Sequence, residues 1–173
     1  NGKLQAPDAN RLYVVYVQPN VAVDLGAGQG TTQQGILGYH GAFAGRTAAG
    51  QPADVRYAVL PYPGGGVGNL SIGGGYPAFD DATVVGSHEI AEAATDPDVG
   101  YKQLGWYDDQ LDGEIGDLAQ GTFVGYRGYL VQAEVNQADQ LIYPSDAAPV
   151  TRTEFAVADF RGAGVWRYSG GTG

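Results

Sequence analysis

The sequence contains no cysteine and no methionine among its 173 residues. The absence of cysteine excludes disulfide bonds, thiol catalysis and thiolate metal ligands. Histidine, carboxylate or carbonyl oxygen must therefore supply the ligands of any bound metal ion. Without methionine the chain has no initiator residue, which fits an exported protein whose leader has been cleaved. We predict a secreted, extracellular protein.

Basic residues are also scarce. Nine lysine and arginine residues stand against nineteen aspartate and glutamate residues, which gives a net charge of -10. Such a charge repels nucleic-acid phosphates and anionic lipid headgroups. No apolar run approaches the roughly 18 residues of a membrane-spanning helix. We therefore predict neither a nucleic acid nor a membrane as a partner.

The hydrophobic pattern predicts strands and one long helix. Segments 12–17 and 55–61 are rich in β-branched and aromatic residues, and the first is so apolar that we expect a central strand. Residues 82–95 are rich in alanine, valine and glutamate and predict a helix that Asp80 or Asp81 caps. Together these elements indicate an α+β fold built on a mixed β-sheet.

Two further stretches bear on the organisation of the chain. Residues 64–75 include seven glycines and predict a long loop, which we expect to line a cleft together with strand 55–61. Composition changes after Pro144, so we assign residues 1–150 to a metal-binding and catalytic domain. Residues 151–173 predict a C-terminal β-hairpin that resembles the start of a truncated, tryptophan-bearing repeat.

The predicted helix carries the residues with the clearest chemistry. His88 and Glu92 are four positions apart, so a helix places both on one face, and Glu89 projects nearby. In the related pattern H-E-x-x-H two histidines bind zinc, and the glutamate activates water. Here Glu92 replaces the second histidine, and a carboxylate can bind Zn²⁺ at ordinary distances. We predict Zn²⁺ on His88 and Glu92, with Glu89 as the general base.

Downstream segments extend this pattern. Residues 87–97, 105–108 and 113–118 read SHEIAEAATDP, GWYD and GEIGDL, and residues 38–41 read GYHG. This ordered set resembles bacterial relatives of the plant phosphate-induced (exordium-like) proteins over roughly residues 11–143. The resemblance implies a zincin-like metal domain with a zincin-like active-site helix, but no defined substrate. The cysteines expected in such relatives are absent, so disulfide bracing does not carry over.

The third protein ligand has several candidates. Asp98 lies ten residues after His88, the spacing of metzincin-like enzymes, but the glycine on which those enzymes turn is missing. Glu114 resembles the downstream glutamate of gluzincins, and Asp117 would then orient His88 or replace Glu114 as a ligand. We prefer Glu114. His40 is either a turn residue, a further ligand or a donor to the oxyanion of the reaction.

These residues predict a zinc-dependent metallopeptidase with a protein or peptide substrate. The alternative is a non-catalytic module that binds carbohydrate or cell wall around a structural Ca²⁺ or Zn²⁺ ion. The acidic loop at 108–112 is one place for such a Ca²⁺ ion. In that interpretation the sugars would meet four aromatic residues, which are Trp106, Tyr107, Trp166 and Tyr168.

Overall fold

The computed structural model describes residues 4–26, 28–145, 155–158 and 165–168. The elements in chain order are β1 (Leu12–Val17), β2 (Tyr39–Arg46), β3 (Pro52–Pro61), α1 (Ala78–Thr95), a 3₁₀ turn (Asp117–Ala119), β4 (Phe123–Tyr126), β5 (Tyr129–Gln132), β6 (Glu134–Val135), β7 (Leu141–Ile142), β8 (Phe155–Ala158) and β9 (Val165–Tyr168). No helix in this part of the chain is both long and apolar enough to cross a membrane.

The largest sheet has three strands in the order β1-β3-β2. Strand β3 pairs in parallel with β1 and antiparallel with β2, and this register places His40 of β2 opposite Ala58. The prediction that residues 12–17 form a central strand is wrong, because β1 pairs only with β3 among the described residues. An apolar strand indicates that its faces are covered, but it does not reveal how many neighbours the strand has.

Helix α1 begins after Pro77 and ends at Thr95, just before Asp96-Pro97. The predicted N-cap is wrong, because no side chain caps the helix and Asp81 lies in its first turn. Asp81 is 3% exposed and accepts the Ile72 backbone N–H at 3.2 Å. This hydrogen bond ties the end of the glycine-rich segment to the helix, which explains why an acidic residue is buried there.

The helix lies between the three-stranded sheet and the small hairpins that follow it. It contacts β2 and β3 on one side and β5 on the other. Val84 is 1% exposed, and a Cβ on Gly86 would lie 3.4 Å from the Leu60 side chain of β3. An apolar cluster joins the segment after the helix to β6. Its buried members are Ile115, Ala119, Ala133 and Val135, and the partly buried residues packed against it are Ala91, Trp106 and Leu118.

The predicted α+β fold, with one mixed sheet and a zincin-like helix, is wrong. The described residues form one α-helix and nine strands, and the strands are divided among one three-stranded sheet and three two-stranded hairpins. In one of these hairpins Arg127 and Gly128 have φ values of 50° and 86°, which reverse the chain between β4 and β5. Strands β8 and β9 pair with each other. The predicted domain boundary at 150/151 lies outside the described residues.

Candidate metal centre

The two glutamates of α1 are almost completely buried. Glu89 is 4% exposed and Glu92 is 3% exposed. An ionised carboxylate loses its hydration when it is buried, so it needs a cation, a proton or several hydrogen bonds in compensation. The imidazoles of His40 and His88 lie beside these carboxylates. Among the described residues, they are the basic side chains within 4 Å of Glu89 or Glu92.

The first potential ligand set consists of His88, Glu92 and Asp117, and we call it the outer group. His88 Nε2 lies 3.1 Å from Glu92 Oε1 and 3.7 Å from Asp117 Oδ1. One ligand atom from each of the three residues lies within 4.8 Å of the others. Ligands that bind one ion at about 2.0–2.2 Å are separated by roughly 3 Å or more. The outer group can therefore hold a metal ion, although its identity is open.

The second potential ligand set consists of His40, Glu92 and Glu114, and we call it the inner group. His40 Nδ1 lies 3.6 Å from Glu92 Oε2, and His40 Nε2 lies 3.5 Å from Glu114 Oε1. These residues also offer ligand atoms within 4.8 Å of one another. The His40 side chain is 4% exposed. Glu92 belongs to both groups, whereas Glu89 belongs to neither.

Neighbouring groups position His88 and Asp117. The Asp117 backbone N–H donates to Glu92 Oε1 at 3.2 Å, which attaches the 3₁₀ turn to the helix. Gln132 Nε2 lies 2.9 Å from His88 Nδ1 and donates to the Gly116 carbonyl at 2.7 Å. The Gln132 amide therefore holds the His88 ring and the Gly116 carbonyl together beside the helix.

The cluster has an excess of negative charge, and the pKa values show its effect. Burial alone would lower the pKa of His88, but the hydrogen bond to Glu92 and the charges of Glu92, Glu89 and Asp117 raise it to about 9. Burial raises the pKa of Glu89, and it raises that of Glu114 to about 8. The buried carboxylates therefore favour bound protons in the metal-free protein. A divalent cation would take the place of these protons and supply the positive charge instead.

A pocket of about 560 Å³ opens over the outer group. Its polar floor includes His88, Glu89 and Asp117. Its apolar wall includes Ile36, Leu37, Ile72, Val85 and Phe123. In the part of the chain that the structure describes, His40 and Glu114 do not line this pocket. The pocket therefore reaches two members of the outer group, His88 and Asp117, whereas Glu92 is not among its lining residues.

The predicted ligands are thus distributed between two groups. Glu114, the preferred third ligand, lies with His40, whereas Asp117 lies with His88. The alternative ligand Asp98 accepts a hydrogen bond from Arg56 Nε at 3.2 Å and so has another partner. Sequence reasoning missed Gln132, which is 4% exposed at the end of a strand. The signal in the sequence was a polar residue at a strand position whose side chain points into the protein.

Three further predictions concern the glycine-rich segment, strand β3 and the acidic loop. Leu70 and Ile72 of the glycine-rich segment line the pocket. The prediction that strand 55–61 lines the cleft is wrong, because no residue of β3 lies among the pocket residues and both edges of β3 are paired with other strands. In the acidic loop, Asp108 Oδ1 accepts the Gln110 backbone N–H at 2.7 Å. This hydrogen bond accounts for one carboxylate of the predicted Ca²⁺ site.

The comparisons with known proteins do not extend this description. No family model, no curated protein and no solved structure matches the chain. The resemblance to exordium-like proteins therefore stays a prediction. Function must be argued from the site itself, because a fold alone does not specify chemistry.

Gly116 leaves no room for a side chain beside the outer group. A Cβ at this position would lie 2.7 Å from His88 Nδ1 and 2.9 Å from Glu92 Oε1. We expect Gly116→Ala to displace these ligands and to weaken metal binding about 10- to 100-fold, as loss of supporting groups around a metal does. Isothermal titration with Zn²⁺ measures the effect. Gly125→Ala is the control, since a Cβ there meets nothing within 4 Å, and equal affinities for the two variants would contradict the prediction.

Glu134 is a half-buried residue whose carboxyl group belongs to neither group. Its Oε2 is buried without a hydrogen-bond partner within the described residues, and burial raises its pKa to about 8. The folded state therefore favours the protonated form, so this contribution to stability is present at acidic pH. It is lost as the pH rises through the folded-state pKa.

We expect Glu134→Gln, which mimics the protonated carboxyl, to have the same melting temperature as the parent near pH 4. It should melt at a higher temperature than the parent at pH 8.5. Thermal unfolding of chelator-treated protein at both pH values measures this, with Asp109→Asn as an exposed control. A pH-independent difference between Glu134→Gln and the parent would show that the charge is not the cause.

Proposed function

We propose that the protein is a metal-dependent hydrolase that cleaves peptide bonds, with one divalent cation held by the outer group. The observation that carries this proposal is the position of Glu89. Its carboxylate is buried beside His88 and Glu92, yet it belongs to the floor of the open pocket. A potential base, a potential metal site and a substrate-sized space therefore coincide. Secretion remains part of the proposal.

The donor set suits a catalytic cation. One imidazole and two carboxylates are three protein ligands, which is the usual number at catalytic zinc sites and leaves a position for water or substrate. A cation there would polarise the scissile carbonyl and acidify a water molecule. Carboxylates in place of imidazoles lower the positive charge of the site, so Zn²⁺ or a harder ion such as Mn²⁺ fits the donors.

Glu89 is placed to move protons. A Cβ on Gly38 would lie 2.7 Å from Glu89 Oε1, so the glycine keeps the space in front of that oxygen open. Oε2 lies 3.4 Å from His40 Nδ1, which orients the carboxylate. Burial raises the pKa of Glu89 and brings it closer to neutrality, where general bases are most effective. Glu89 accepts a proton from the attacking water and returns it to the departing amine.

The pocket indicates the kind of peptide. Apolar side chains such as Ile36, Leu37 and Phe123 line part of the pocket, so an uncharged aliphatic or aromatic side chain next to the scissile bond gains by burial there. The net charge of -10 disfavours acidic substrates. We therefore propose neutral or basic peptides with an apolar residue at the cleavage point.

The carbohydrate-binding alternative loses part of its support. Trp106 packs against the buried cluster around Ile115, so part of its ring is already covered. The Tyr107 hydroxyl donates to Asp112 at 2.7 Å. The side chains of Trp166 and Tyr168 lie outside the described residues.

The proposal is tested with chelator-treated protein and a library of fluorogenic peptides. We expect no cleavage before metal is added, and cleavage of peptides with apolar residues after one equivalent of Zn²⁺ or Mn²⁺ is supplied. Asp117→Asn should lose this activity, whereas Asp109→Asn, at an exposed position, should retain it. Metal-loaded protein that cleaves no member of the library would overturn the assignment as a peptidase.

A further inference from the structure

We propose that the inner group, formed by His40, Glu92 and Glu114, binds a second divalent cation, so that the Glu92 carboxylate bridges two ions. The proposal rests on the proposed function in one respect, because it takes the outer group as the other cation site. The two oxygens of Glu92 face different partners. Oε1 lies 3.1 Å from His88 Nε2, and Oε2 lies 3.6 Å from His40 Nδ1.

His40 lies among three carboxylates. Its Nδ1 lies 3.4 Å from Glu89 Oε2 and 3.6 Å from Glu92 Oε2, and its Nε2 lies 3.5 Å from Glu114 Oε1. These distances exceed the length of a strong N–H···O hydrogen bond, which is about 2.9 Å. One ligand atom from each of His40, Glu92 and Glu114 lies within 4.8 Å of the others, so a single cation can reach all three residues.

An independent observation also points to a ligand. Glu114 is 8% exposed, and its Oε1, which is the oxygen nearest His40, has no hydrogen-bond partner within residues 4–26 and 28–145. A buried carboxylate oxygen without a partner carries the full cost of its lost hydration. The Asp96 carbonyl oxygen accepts a hydrogen bond from His40 Nε2 at 3.2 Å, which leaves Nδ1, the nitrogen that faces Glu92, to bind a cation. A cation would satisfy these groups together.

The inner ion would have a different role from the outer one. Its three side chains come from β2, from α1 and from the loop before the 3₁₀ turn. They do not line the pocket, as far as the described residues show. The inner ion would therefore join these segments and hold Glu92 in place, while the outer ion meets the substrate. Ions bridged by one carboxylate in two-metal hydrolytic sites are about 3.5–4 Å apart.

Metal stoichiometry of the full chain tests the proposal. Chelator-treated protein is titrated with Zn²⁺, freed of excess ion by gel filtration and measured by mass spectrometry of its elements. We expect two ions in the parent, one in Glu114→Gln and one in Asp117→Asn. Circular dichroism verifies that each variant is folded, and Asp109→Asn should keep two ions. A parent that binds one ion overturns the proposal.

The same variants separate this proposal from the proposed function. If the parent binds one ion, which Asp117→Asn loses and Glu114→Gln keeps, the inner site is wrong and the hydrolase proposal stands. If Glu114→Gln alone loses the ion, the bridged pair and the outer site are both wrong. A measurement on the unmodified chain avoids reliance on the variants: Mn²⁺-loaded protein should give the electron paramagnetic resonance spectrum of two coupled ions. A spectrum of isolated Mn²⁺ at saturation overturns the proposal.

Discussion

Glu89→Gln is expected to lower kcat for peptide cleavage about 10²- to 10⁴-fold, the usual contribution of a general base. Glutamine has nearly the same shape, so it should fit a position that is 4% exposed. It cannot accept the proton of the attacking water. Both metal-binding groups keep all their ligands in this variant, because Glu89 belongs to neither.

Steady-state kinetics and metal analysis of the same preparations measure this effect. We expect KM and metal content close to those of the parent, since only the proton transfer is removed. Asp109→Asn changes an exposed carboxylate to an amide in the same way and should leave kcat unchanged. Cleavage by Glu89→Gln at the parental rate would exclude Glu89 as the base.

Glu92→Gln is expected to abolish both activity and metal binding. Glu92 is the one residue common to the two ligand groups, and its two oxygens face His88 and His40 separately. An amide has one weak oxygen donor and no negative charge, so both sites lose a ligand and a compensating charge. No other single substitution in the described cluster should affect both ions.

The readout is the metal-dependent rise in melting temperature. A ligand at 100 times its dissociation constant stabilises the folded state by about 2.7 kcal/mol, so the parent should show a clear shift with Zn²⁺. Glu92→Gln should show none at the same concentration, and each of Glu114→Gln and Asp117→Asn should retain part of it. A full shift in Glu92→Gln would contradict the shared role of this residue.

The arrangement of the site residues on α1 could be predicted from the sequence, but the contact with His40 on β2 could not. His88, Glu89 and Glu92 lie within one helical turn or so, and the pattern of the helix fixes their relative positions. His40 is 52 residues from Glu92, and its approach depends on how β2 packs against α1. Spacing along the chain contains no information on such a contact.

The sequence also did not decide whether Glu114 or Asp117 is the third ligand beside His88. These residues are three positions apart, but the 3₁₀ turn sends one carboxylate to His40 and the other to His88. The sequence placed both near the helix without showing how the turn would orient them. The prediction of the fold class was wrong for a related reason, since the sequence of a strand does not show which other strands it pairs with.

The most direct test of the central claim is anomalous diffraction from crystals of the full chain grown with Zn²⁺. The account predicts a zinc peak about 2.0–2.2 Å from His88 Nε2, Glu92 Oε1 and Asp117 Oδ1, at the floor of the pocket beside Glu89. A zinc-loaded crystal with no peak among these three atoms, or with zinc bound only at other positions, would contradict it.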